Sequence, residues 1–135
     1  MRTLVRSTVV VVAMSFSAAA CGEETGPPTP CLDDTGVVLA VATGASPRFN
    51  WSPACLAFRL GVTDSVGTFV WQIDADSGNT LHSGVTFGVV PDGATETIPA
   101  AALQVGQRYA VGLFRATGDS VPNEASLLTA LAFRR

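Results

Sequence analysis

His82 stands beside Ser83 in "NTLHSGV" and is the only histidine in the 135-residue chain. A hydrolase would need it as the base for a nucleophile and would need a third group to orient it. Neighbours along a strand point to opposite faces, so Ser83 is not the hydroxyl that His82 would activate. No Gly-x-Ser-x-Gly elbow occurs, and His82 reads as an exposed loop side chain. Asp74 and Asp76 in "QIDADSGN" would project to the same side of a strand just ahead of a turn. Such a pair could contribute to a calcium loop or to acid–base cleavage of a glycoside. The calcium loop requires glycine at its sixth position and glutamate at its twelfth. Counted from Asp74, Gly78 comes one position early and no glutamate follows, so a solvated turn is expected. The pair has no accompanying cleft signal that would favour glycoside chemistry. The three cysteines, Cys21, Cys31 and Cys55, include no Cys-x-x-Cys pair, and with one histidine they do not make a zinc set. No catalytic residue, metal ligand or cofactor is expected, and the odd cysteine count needs an explanation.

Charge narrows the partners. Every basic residue is arginine, and two of the eight, Arg2 and Arg6, precede the hydrophobic run near the start. Without them six arginines face eleven acids. No basic stripe is visible, so nucleic acid is not an expected partner. Asp33, Asp34 and the Arg134–Arg135 pair read as solvated ends. With 47% apolar and 14% charged residues, the composition suits one foldable domain.

Met1 to Ser7 carries the two positive charges, and Thr8 to Ala20 is almost purely apolar and closes on three alanines. The apolar stretch of roughly 13 residues matches the centre of a secretory signal. It falls short of the about 20 residues a membrane-spanning helix needs. "AAAC" (18–21) resembles the lipobox of bacterial lipoproteins, with Ala18 where that family prefers leucine. The resemblance implies cleavage after Ala20 and a diacylglyceryl group on the Cys21 thiol, with acylation of the new amine. It makes membrane lipid, reached through acylated Cys21, the first expected partner. Gly22 rather than aspartate follows Cys21, which in enteric-type lipoproteins favours the outer over the inner membrane. Next, "GEETGPPTP" (22–30) lacks side chains able to pack and holds three prolines. It reads as an extended tether reaching roughly 30 Å at about 3.1 Å per residue. Lipidation of Cys21 would account for the odd thiol and leave Cys31 to pair with Cys55, in a compartment where disulfides persist. Two buried thiols or a metal site are the alternatives.

Beyond Cys31 the hydrophobic period is two, not 3.6. Val37, Leu39 and Val41 form one apolar face. Phe49 and Trp51 alternate with Arg48 and Asn50, and Phe58, Leu60 and Val62 with Arg59, Gly61 and Thr63. Phe69, Trp71 and Ile73 alternate with Val70, Gln72 and Asp74. Tyr109, Val111 and Leu113 alternate with Ala110, Gly112 and Phe114, and Leu127, Leu131 and Phe133 share one face of the last run. Turn-forming segments separate the runs: "TGASP" (43–47), "WSPA" (51–54), "TDSVG" (63–67), "DADSGN" (74–79), "PDG" (91–93) and "TGDSVPN" (117–123). "PAAALQVG" (99–106) is too short for an independent helix and reads as a strand end and a corner. An all-β sandwich follows.

"FNWSP" (49–53) is similar to the second strand of fibronectin type III domains, where a buried tryptophan precedes a proline-containing loop. "LQVGQRYAVGLF" (103–114) resembles that family's tyrosine corner and sixth strand, carried by Leu103, Gly106 and Tyr109, with Val105 where the family usually has proline. The resemblance covers roughly residues 35–135, with 64–98 longer and less typical. It implies an immunoglobulin-like Greek-key sandwich of about seven strands, with Cys31 and Cys55 at one pole. In that layout Phe69 and Trp71 lie near a sheet edge. If exposed, they form a candidate ligand-binding pair for a sugar or a protein; otherwise both rings fill the core. The expected organisation is a signal segment over 1–20, a lipidated cysteine with a flexible tether over 21–34, and the sandwich over 35–135. The expected function is non-enzymatic: an exported, lipid-anchored module that meets an envelope protein, or alternatively a glycan through Trp71.

Overall fold

The computed structural model describes residues 26–118 and 124–135; the signal segment 1–20 and Cys21 lie outside the described residues. The six period-two runs become six of eight strands, β1 (Val38–Ala42), β2 (Arg48–Ser52), β3 (Arg59–Asp64), β4 (Phe69–Ala75), β7 (Arg108–Ala116) and β8 (Ala125–Arg134), and between them the chain adds β5 (Val85–Thr86) and β6 (Ala94–Ile98). They form two antiparallel sheets, one ordered β1-β2-β5 and the other β6-β4-β3-β7-β8. The chain changes sheet between β2 and β3, between β4 and β5, and again between β5 and β6. The result is an all-β sandwich whose facing side chains build one core.

That core is made of the alternating residues. Trp71, Phe49, Leu60, Ile73, Leu113, Val62 and Val111 are fully buried. The Phe49 and Phe133 rings meet edge to face at 5.7 Å across the two sheets, and Tyr109 adjoins Phe133 at 5.8 Å. The Trp71 ring packs on Phe87 at 5.1 Å. Residues 99–107 form the corner, where Leu103 is buried and Gly106 has φ +80°, a conformation glycine tolerates best.

Three features depart from the sequence pattern. First, there are eight strands rather than about seven. The addition is β6, which pairs with β4 along its whole length and covers that edge. Its sequence, "ATETI", shows no apolar face because it lies at a sheet edge with its central residues exposed. Second, Phe69 does not share a face with Trp71 and Ile73. A register shift in the β3–β4 ladder pairs Val62 with Trp71 but Thr63 with Phe69. Val70 is therefore the extra residue of a bulge, and it turns Phe69 to the outer face. Third, a register shift in the β7–β8 ladder pairs Leu113 with Thr129 but Phe114 with Leu127. Leu127 is thereby set on the outer face, more than half exposed, while Phe133 is buried.

The ladders also assign ends. The N-terminal arm, the β2–β3 connection, the start of the β4–β5 connection and the end of β7 lie at one pole, here the arm pole. The β1–β2 and β3–β4 turns, the 99–107 corner and the end of β8 lie at the far pole.

Candidate functional site

At the arm pole, Cys31 and Cys55 form a disulfide with Cα atoms 4.9 Å apart. Both cysteines are buried. The backbone reinforces the link: Cys31 N–H donates to Leu56 O at 2.7 Å, and Leu56 N–H donates to Thr29 O at 2.8 Å. Pro30 and Leu56 thus form a parallel bridge. Within the expected tether, the chain is fastened to the sandwich from Thr29 onward. Trp51 closes the same region from below, its indole N–H donating to Cys55 O at 2.8 Å.

Beside the arm is an open cleft lined by Phe58, Asp74, Asp76, Asn79 and Arg115. Several of its polar atoms are engaged, while Arg115 Nε is buried with no hydrogen-bond partner among the described residues. Arg59 makes a two-pronged pair with Asp74, with Nε to Oδ1 and Nη2 to Oδ2 both 2.7 Å. Those hydrogen bonds raise the Arg59 pKa above its ordinary value, against the opposing effect of burial. Asp76 Oδ1 accepts from the Thr95 hydroxyl at 2.6 Å, and Asn79 Oδ1 accepts from Ala116 N–H at 2.8 Å. Arg115 Nη1 reaches Asp33 at 3.1 Å, so Asp33 is not the free solvated end its position suggested. Among the described residues no three His, Cys, Asp or Glu side chains converge as a metal set.

The aromatic pair is split. Trp71 is fully buried, and β6 covers the edge on which it was placed. Its indole N–H donates to Glu96 Oε1 at 2.8 Å. Trp71 therefore presents no ring to a sugar, which removes the basis of the glycan reading. Phe69 is partly exposed, but its ring lies over Gly61, where a Cβ would fall 2.6 Å from Cε1. The Phe114 ring covers Gly112 in the same manner, and Gly61 and Gly112 are register partners. His82 is exposed, and the Ser83 hydroxyl is held on Trp51, accepting from its N–H at 2.8 Å and donating to its C=O at 3.1 Å.

At the far pole Tyr109 buries its ring while its hydroxyl accepts the Gln104 N–H at 2.9 Å. The Arg134–Arg135 pair, placed among solvated ends by its position in the chain, clamps this corner. Gly106 N–H donates to Arg135 O at 2.7 Å, Arg135 N–H donates to Gln107 O at 3.3 Å, and Arg134 Nη1 donates to Gly106 O at 3.2 Å. The Arg135 guanidinium donates to Leu103 O. Sequence reasoning missed these arginines because their partners are backbone carbonyls some 30 positions away, and a carbonyl acceptor leaves no mark in residue type. Comparison with protein-family models, with curated proteins and with solved structures found no match to this chain.

Proposed function

We propose that this chain is an exported, non-enzymatic interaction module moored to a bacterial envelope membrane through acylated Cys21. The observation that carries this reading is the Cys31–Cys55 disulfide. It uses Cys31 and Cys55 and leaves Cys21, the cysteine of "AAAC", for another chemistry. It also suits an oxidising compartment. With the chain fastened from Thr29 onward, the arm pole would sit at most about 25 Å from a lipid on Cys21. The fibronectin type III resemblance is supported by the β1-β2-β5 sheet facing β4-β3-β7-β8, and by the Tyr109 hydroxyl on Gln104 N–H. The non-enzymatic reading is supported by the commitment of the Ser83 hydroxyl to Trp51 and of Asp74 to Arg59. The far pole and the outer sheet faces would then meet an envelope protein.

Mass spectrometry of the mature N-terminus tests the anchor. The expected product begins at Cys21 and carries diacylglyceryl and N-acyl masses, and Cys21→Ala shifts the protein from the membrane to the soluble fraction. A mature chain beginning elsewhere, or an unmodified thiol at Cys21, overturns the anchor.

A further inference from the structure

We propose that the far pole, around Arg108, Arg134 and Arg135, is a docking surface for an acidic peptide segment of a partner protein. The proposal deepens the interaction-module reading and rests on it for its setting, but it does not require the lipid.

The ladder places Arg108 directly opposite Arg134 on neighbouring strands. Like charges in that position are destabilising unless something neutralises them. Among the described residues the salt bridges are Arg59–Asp74 and Arg115–Asp33, both at the other pole. Arg134 and Arg135 instead donate to the carbonyls of Gly106 and Leu103. A carbonyl acceptor fixes a guanidinium in place without cancelling its charge. Asp64, the carboxylate nearest in register, keeps its charge but is turned to its own loop, accepting from Val66 N–H at 3.0 Å and Thr68 N–H at 2.9 Å, and among the described residues it pairs with no arginine, so three arginines stand against this one carboxylate. The fold therefore gathers positive charge at one end of a chain whose net charge is negative.

The chemistry of the patch selects the occupant. Arginine presents a planar fork that grips a carboxylate through two hydrogen bonds. Two valines at the same pole stand out into solvent: Val105 is 80% exposed and Val66 is 82% exposed. Val105 precedes Gly106, whose N–H is bonded to Arg135 O. Val66 lies in the turn after Asp64, the register partner of Tyr109, and Tyr109 follows Arg108. A cationic patch that shares its pole with exposed aliphatic side chains complements a peptide that mixes acidic and apolar residues. A long polyanion would find only a few charges here and no use for the valines. Over a Debye length of about 8 Å, each pole acts on its ligand alone.

Fluorescence anisotropy of the purified full-length protein in neutral detergent, with a short labelled peptide alternating glutamate and valine, tests the proposal. The comparison probes are the glutamine–valine analogue, inorganic polyphosphate and phosphatidylglycerol vesicles. Saturable binding is expected at low salt, weakening as ionic strength rises and falling about tenfold in Arg108→Gln/Arg134→Gln. Arg134 also supports the corner, so Arg108→Gln alone, whose side chain has no hydrogen bond to lose among the described residues, serves as the fold-preserving variant; a loss of about threefold is expected. Val105→Ser should weaken the peptide and leave polyphosphate unchanged. Equal peptide affinity in the correctly folded Arg108→Gln variant overturns the proposal. So does the absence of peptide binding at low salt, or binding of polyphosphate or vesicles as tight as that of the peptide. None of these results bears on Cys21, and an unlipidated Cys21 would leave this docking surface standing.

Discussion

The indole of Trp71 is apolar in its setting except at one corner, where its N–H meets the Glu96 carboxylate across the β4–β6 ladder. The two contributions can be separated by substitution. Trp71→Phe keeps most of the ring and removes the hydrogen bond, with an expected loss of about 1–2 kcal/mol. Trp71→Ala opens a cavity beside Phe87 and should cost about 3–5 kcal/mol. Urea denaturation midpoints at constant slope measure both. Alternation made the burial of Trp71 legible, since residue 71 shares its period with Ile73. The position of Phe69 was not legible. The bulge at Val70 carries no glycine or other local mark, and its register is set by β3, a different part of the chain.

At the scale of elements, the outer face of the five-stranded sheet is covered by its own aromatic side chains. Phe69 lies over Gly61 and Phe114 over Gly112, so the two glycines leave room for rings that would otherwise stand free in water. This predicts a sign change. Gly61→Ala forces the Phe69 ring off the sheet and should destabilise the protein by about 1 kcal/mol, an overpacking effect. In a Phe69→Ala background the obstruction is gone, and the same change should stabilise by about 0.5–1 kcal/mol through the reduced freedom of the unfolded chain. A double-mutant cycle followed by denaturation reads the coupling, and additive effects would show that the ring and Gly61 do not meet. Strands β1 to β4, β7 and β8 were legible from their alternation and turn residues. The edge strand β6 was not, because both of its faces are mostly exposed and hydrophobic period is a signal of burial.

Across the whole molecule, the disulfide and the charge distribution give the sandwich two unlike ends. Near the N-terminal arm lie Asp33, Asp74 and Asp76, with Arg59 and Arg115 paired among them. At the other end lie Arg108, Arg134 and Arg135 around the tyrosine corner. The bridge closes a loop with a sequence separation of 24. On chain entropy it is worth about 3 kcal/mol, so Cys31→Ser/Cys55→Ser should lose about that much in equilibrium unfolding, to be compared with the wild type under non-reducing conditions. Because Thr29 and Leu56 stay hydrogen-bonded by backbone alone, the variant should keep its sheets while limited proteolysis cuts faster at the arm.

From the order of residues alone came the β class, the turns, and the two cysteines that could be joined. These depend on near neighbours: a period of two, a glycine or proline at a bend, a polar string after an apolar run. Tertiary structure alone decided which face Phe69 and Leu127 occupy, which strand guards the edge beside Trp71, and that arginines at positions 108, 134 and 135 stand together. Those outcomes follow from ladder register and from the order in which strands are laid into sheets. Both are settled by contacts between segments far apart in the chain, where a one-residue shift reverses every side chain and local composition is silent.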